Sequence, residues 1–133
     1  MVILEQLKML VNLSLADESM AENEKKFIIN IGKAHGFPES SVETLFYGKH
    51  ELIMPDELTA DQKFQYALSL FQLMKLDEKL YQPEIKFCAS IIQKLGYRKE
   101  VIGELMMAVK SEAMNPAEIE ALKKTVAGYL ISR

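Results

Sequence analysis

Two stretches of this chain hold the residue types that could do chemistry. The first is Asp17-Glu18-Ser19-Met20-Ala21-Glu22-Asn23-Glu24, and the second is Asp77-Glu78-Lys79-Leu80-Tyr81-Gln82-Pro83-Glu84. They share an acid, a hydrophobic residue three positions on, and a second acid four positions beyond that. Carboxylates at such a spacing are hard oxygen ligands, so Asp17 with Glu24 and Asp77 with Glu84 form a candidate pair of sites for a divalent cation: calcium, magnesium or manganese. Glu18, Glu22 and Glu78 stand close enough in sequence to assist. The same residues also suit a purely structural use. Asp17 and Asp77 can accept backbone N–H bonds in a turn, while Glu24 and Glu84, in the first turn of a following helix, face its positive pole and cap it.

The spacing echoes the second half of an EF-hand loop, but the echo stops there. The positions of that motif's first two carboxylates fall on Leu13 and Leu15 in one copy and on Leu73 and Lys75 in the other. Its glycine is replaced by Glu18 and by Glu78. Two carboxylates alone leave most of a coordination shell to water and backbone, so a site of this kind binds weakly.

Other constellations are sparser. His35 precedes a helix-stopping glycine, where an imidazole favours the negative helix end, and His50 lies in a linker with no partner at a recognisable spacing. No CxxC, HExxH, GxSxG, Walker loop or dinucleotide fingerprint occurs. The expectation is a protein that is not an enzyme. The single cysteine, Cys88, sits among Phe87, Ile91 and Ile92 and reads as a buried, inert thiol.

The acidic stretches are placed by a duplication. Shifting the chain by 60 residues aligns Leu7–Phe46 with Ala67–Met106 without a gap and gives ten identities in forty positions, where chance gives about one in fifteen. Asp17, Glu18, Glu24, Lys26, Phe27, Ile31 and Gly36 are among the residues repeated. Each unit reads as three helices: about Val2 to Ala16, Glu22 to His35 and Glu39 to Tyr47, then Ala60 to Leu76, Pro83 to Leu95 and Lys99 to Lys110. Thr59 with Gln62 makes a capping-box pattern, and Gly36 and Gly96 supply left-handed stops. Asn115-Pro116-Ala117-Glu118 starts a seventh helix with the stripe Ile119, Leu122, Val126 and Leu130. The predicted fold is therefore all-α, with about seven helices in one domain over residues 1–133: two three-helix units facing each other about a pseudo-twofold axis, and a C-terminal helix.

Composition narrows the partners. A net charge of −3 over 133 residues, with a pI near 5.5, argues against nucleic acid, whose binding leans on a basic surface. No stretch reaches the roughly eighteen uncharged apolar residues that span a bilayer. Met1 to Ala16, interrupted by Glu5 and Lys8, reads as a helix rather than an export signal, so a cytoplasmic chain is expected, with peripheral membrane association compatible. The runs Leu70-Phe71-Gln72-Leu73-Met74 and Leu105-Met106-Met107 are apolar around much of a helix. They suggest a homodimer or an unknown protein partner covering the surplus. Most of the eight methionines read as core filling.

From about Leu7 to Leu130 the chain resembles the tellurite-resistance TerB family and the TerB-like domains at the N-terminus of membrane-anchored DnaJ-like co-chaperones. The resemblance rests on the duplicated helical pattern and on Asp17 with Glu24, matched by Asp77 with Glu84. The family's acidic loop is often Asp-Gly, and here Glu18 and Glu78 replace the glycine. What the resemblance implies is a non-enzymatic binding module linked to bacterial stress responses, either cation-binding or a protein-interaction scaffold of the co-chaperone adaptor kind.

Overall fold

The computed structural model describes residues 2–15, 21–51, 58–76, 82–110 and 114–131. Among these residues are seven α-helices: α1 (Val2–Ser14), α2 (Glu22–Ala34), α3 (Glu39–Glu43), α4 (Ala60–Met74), α5 (Gln82–Lys94), α6 (Val101–Ala108) and α7 (Pro116–Ala127). Among the described residues there is no β-sheet, only an isolated antiparallel bridge between Tyr97 and Leu130. The all-α expectation with about seven helices holds.

Local chemistry sets the helix ends. At α4, Thr59 Oγ1 accepts from the Gln62 N–H at 3.1 Å and the Gln62 side chain accepts from the Thr59 N–H at 2.9 Å. At α7, Asn115 Oδ1 accepts from the Glu118 N–H at 2.8 Å and Glu118 Oε1 accepts from the Asn115 N–H at 3.0 Å. Each box satisfies two backbone donors that a helix start otherwise leaves to water. Helices α2 and α5 stop at glycines in the left-handed region, Gly36 at φ 89° and Gly96 at φ 92°. The N–H of the next residue then reaches back to the last turn, Phe37 to Gly32 O at 2.9 Å and Tyr97 to Ile92 O at 3.2 Å.

The duplication is visible in these boundaries. Each end of α5 lies 60 residues beyond that of α2 (22 to 82, 34 to 94), and α1 and α4 end at Ser14 and Met74, again 60 apart. The third helices differ. The helix expected over Glu39–Tyr47 is α-helical only to Glu43 and tightens into a 3-10 turn over Thr44–Tyr47. There the Thr44 hydroxyl donates to Ser41 O at 2.7 Å, the local side-chain competition that makes Ser and Thr poor helix-interior residues. Its counterpart α6 runs straight but falls two residues short at each end of the expected Lys99–Lys110.

Helix α4 is the centre of the molecule. Phe64, Tyr66, Ala67, Leu68, Leu70, Phe71, Leu73 and Met74 are all buried, as expected of a helix apolar around most of its circumference. It packs most extensively on α1 and also meets α5, α6 and α7. The apolar run at Leu70–Met74 is thus covered by the chain's own helices, and needs no second copy or partner to shield it. From α1 come Leu7, Leu10, Val11 and Leu13, all fully buried. Burial of a side chain of this size contributes about 1.5–3 kcal/mol.

The units part company where their second helices end. After Gly96 the backbone pairs with the chain's last described residues: Ile131 N–H donates to Gly96 O and Arg98 N–H to Tyr129 O, both at 2.8 Å. The residue equivalent to Arg98 is Pro38, which has no N–H to give. The turn after Gly36 cannot be paired in the same way. No helix among the described residues is long and apolar enough to cross a membrane.

Gly32, buried on α2, sits where α2 and α3 approach closely. A Cβ there would lie 2.5 Å from Val42 Cγ2 on α3. Gly32→Ala is expected to destabilise the chain by about 1–3 kcal/mol in urea unfolding, the range for overpacking. The double variant Gly32→Ala/Val42→Ala is expected to lose less than the sum of the two single losses.

Candidate functional site

Of the four carboxylates nominated from sequence, Glu24 and Glu84 are within the described residues. Asp17 and Asp77 lie outside them, as do Glu18, Met20, Glu78 and Leu80. Glu24 occupies the first turn of α2 and is only 5% exposed; Glu84 occupies the first turn of α5 and is 1% exposed. A glutamate is among the residues least often buried, because removing its charge from water is costly unless something compensates. That the same residue is buried at the same place in both units makes this an organised feature of the repeat.

For Glu24 part of the compensation is direct: its Oε1 accepts the Ala21 N–H at 2.9 Å. This is the helix-capping use of the carboxylate, aided by the positive pole of α2. Residue 21 is alanine, so the reciprocal side-chain half of a capping box is absent, and the Glu24 N–H bonds the Ala21 carbonyl instead, at 3.1 Å. Glu22, by contrast, is exposed and engaged by Lys25 at 3.5 Å. At the end of α1, Ser14 Oγ is buried with no hydrogen-bond partner among the described residues.

Glu84 shares its surroundings with the cysteine one turn on. Burial first, and the Glu84 charge second, push the Cys88 thiol up to about 12. Its Sγ donates to Met74 Sδ at 3.6 Å. The expected buried, unreactive thiol is what the structure contains. Met9 and Met74 fill the core as expected, whereas Met107 is 89% exposed.

Three arrangements were not legible beforehand. His50 has partners after all: Asn12, buried on α1, donates to His50 O at 2.7 Å and accepts the His50 N–H at 2.8 Å, and His50 Nε2 meets Leu45 O at 2.8 Å. A separation of 38 residues hides the Asn12 contact from any local motif. Lys75, which stands where the first unit has Leu15, sends its ammonium to the carbonyls of Met106 and Val109, the latter at 2.6 Å. It thereby closes the C-terminal end of α6, and burial lowers its pKa.

The third is a cleft of about 560 Å³ between α2 and α4, with α1 at its base. Gln62, Gln65, Ser69 and Gln72 line it from α4, Gln6 and Ile3 from α1, and Ile31 and Ala34 from α2, with His35 at that helix's end. Their recurrence at steps of three, four and three on α4 was a sequence signal for a polar helix face.

Among the described residues, no three of the side chains that commonly ligate metals come together. No family model matches the chain, and no match is found among curated proteins or solved structures.

The buried thiol gives a pH test. Cys88 holds its proton more tightly folded than unfolded, so its contribution is full below its ordinary value of 9.0 and is lost as pH climbs toward about 12. Stability measured by urea unfolding is expected to fall between pH 8.5 and pH 10.5 (~2 pH units of linkage), and to fall less steeply in Cys88→Ala. Equal slopes in the two proteins would contradict the assignment.

Proposed function

We propose that this chain is a non-enzymatic binding module of the TerB-like, stress-response type, acting in the cytoplasm, in which each acidic turn binds a divalent cation weakly. Asp17 and Glu24 supply the protein oxygens of one site, Asp77 and Glu84 those of the other. The observation that carries the reading is the burial of Glu24 and Glu84 at equivalent positions beside the two turns. A carboxylate already stripped of water and anchored by its stem within the fold is a preorganised hard ligand, suited to calcium, magnesium or manganese. With two carboxylates per site and the rest of the shell left to water and backbone, the affinity belongs in the range of about 0.1–1 mM seen for the weakest calcium modules.

A second reading is a protein-interaction scaffold, or co-chaperone-like adaptor, in which the carboxylates serve only as helix caps. It is favoured by the bond from the Ala21 N–H to Glu24. It is favoured also by Tyr47 and Met107, which are 90% and 89% exposed and equivalent under the 60-residue offset. Large apolar side chains presented at matched positions suit a protein partner or a homodimer.

Titration with calcium, magnesium or manganese, followed by amide NMR, separates the two. The cation reading predicts saturable shifts around Glu24 and Glu84 with a midpoint near ~1 mM, reduced in Glu24→Gln and Glu84→Gln, each at its own turn. No movement at either turn up to about 10 mM would leave capping as the sole role of these residues.

A further inference from the structure

The cleft between α2 and α4 has a chemistry of its own. No lysine or arginine lines it. Its one carboxylate, Asp61, is already paired with Lys123, and its other ionisable residues are His35 and the buried Tyr66. A charged ligand would give up hydration there and meet no free counter-charge, which disfavours phosphates, carboxylates and metal ions alike.

What the cleft offers is a set of amide groups with specific unused valences. Gln6 is 95% buried (5% exposed); its Nε2 donates to Ser69 Oγ at 2.9 Å and to Gln65 O at 3.5 Å. Its Oε1 makes no hydrogen bond among the described residues and is not sealed from solvent, so an acceptor is presented to the cleft. Gln62 is committed the opposite way: its Oε1 is taken by the Thr59 N–H, leaving Nε2 to donate. Gln65 and Gln72 each carry a donor and an acceptor. Amide donors and acceptors thus recur along α4 from Gln62 to Gln72, over about 15 Å of helix.

We propose that this cleft binds an extended, uncharged peptide segment of a partner protein, with the glutamine amides bonding its backbone and Ile3, Ile31 and Leu68 receiving its apolar side chains. The length of the amide row matches about four to five residues of extended chain at roughly 3.3 Å each. An extended backbone presents the same mixture of N–H and C=O groups and carries no charge, which is the complement of these walls. The chain contains an internal example of the mode: the Asn12 carboxamide takes both the N–H and the C=O of His50. The site is separate from the acidic turns, so the cation titration can fail while this inference stands.

The test is selection of a random linear peptide library on the whole chain, with the same selection on Gln65→Trp, a change at an exposed position that fills the cleft mouth. Unchanged circular dichroism and unfolding confirm that the variant is folded. The expected result is enrichment of peptides poor in Asp, Glu, Lys and Arg. A synthetic consensus peptide should shift the side-chain amide signals of Gln6, Gln62, Gln65 and Gln72 and lose at least about ten-fold in affinity on Gln65→Trp. The proposal is overturned by no enrichment over the bare support, by a charged consensus, or by binding that Gln65→Trp leaves unchanged. Self-association abolished by Gln65→Trp would also overturn it, assigning the cleft to a second copy of the chain.

Discussion

The face that α1 and α4 share is the constraint on which the molecule depends. Each is the first helix of its unit, and each alone would leave a broad apolar surface in water. Leu7, Leu10 and Leu13 on one side and Leu70, Phe71 and Leu73 on the other are fully buried. Isolated helices of this length are marginal in water, so these helices owe their persistence to packing rather than to propensity. The second helices lean on this pair, α2 on α1 and α5 on both α4 and α1. The duplication therefore has a physical rationale: one unit has no partner for its first helix, and two units have each other.

The buried glutamates inherit their positions from that packing. Because α2 and α5 start at equivalent points and lie against the central pair, Glu24 and Glu84 enter the interior in their first turns. Helix polarity favours a carboxylate there, and the Ala21 N–H shares its charge at Glu24. The chemistry at the two places is nonetheless unequal. Glu84 has a thiol one turn away that Glu24 lacks, and Lys75 ties α4 to the end of α6 where the first unit has an apolar Leu15. Helices at equivalent positions with different side chains are how a duplicated fold acquires two distinct ends.

Much of the fold was legible because its signals are local. The Thr59 and Asn115 capping boxes, the glycine stops and the 60-residue repeat all act within a few residues or restate a pattern, and each appears where expected. The tightening after Glu43 was less legible, since the Thr44 hydroxyl bonding the Ser41 carbonyl competes with an apolar periodicity that looks helical through Tyr47. Long-range pairings were not legible at all: Asn12 with His50, Lys75 with the carbonyls of α6, and the C-terminal residues with Gly96 join segments tens of residues apart. The surplus apolar run on α4, read as a surface awaiting a partner, is the core itself. From sequence, an apolar run buried by its own chain and one buried by another chain look the same. At the candidate site the burial of Glu24 and Glu84 was the part that composition could not convey, because a glutamate in a first helical turn is ordinarily solvated.

The interdependence of the two halves through α1 and α4 is tested most directly by cutting between them. Fragments 1–58 and 59–133, made separately, are predicted to show little helix by circular dichroism and no cooperative thermal transition. Mixed in equal amounts, they should recover the helicity and the single transition of the intact chain. A cooperative transition in either fragment alone would show that one unit suffices to bury its own first helix, and would contradict the account at its base.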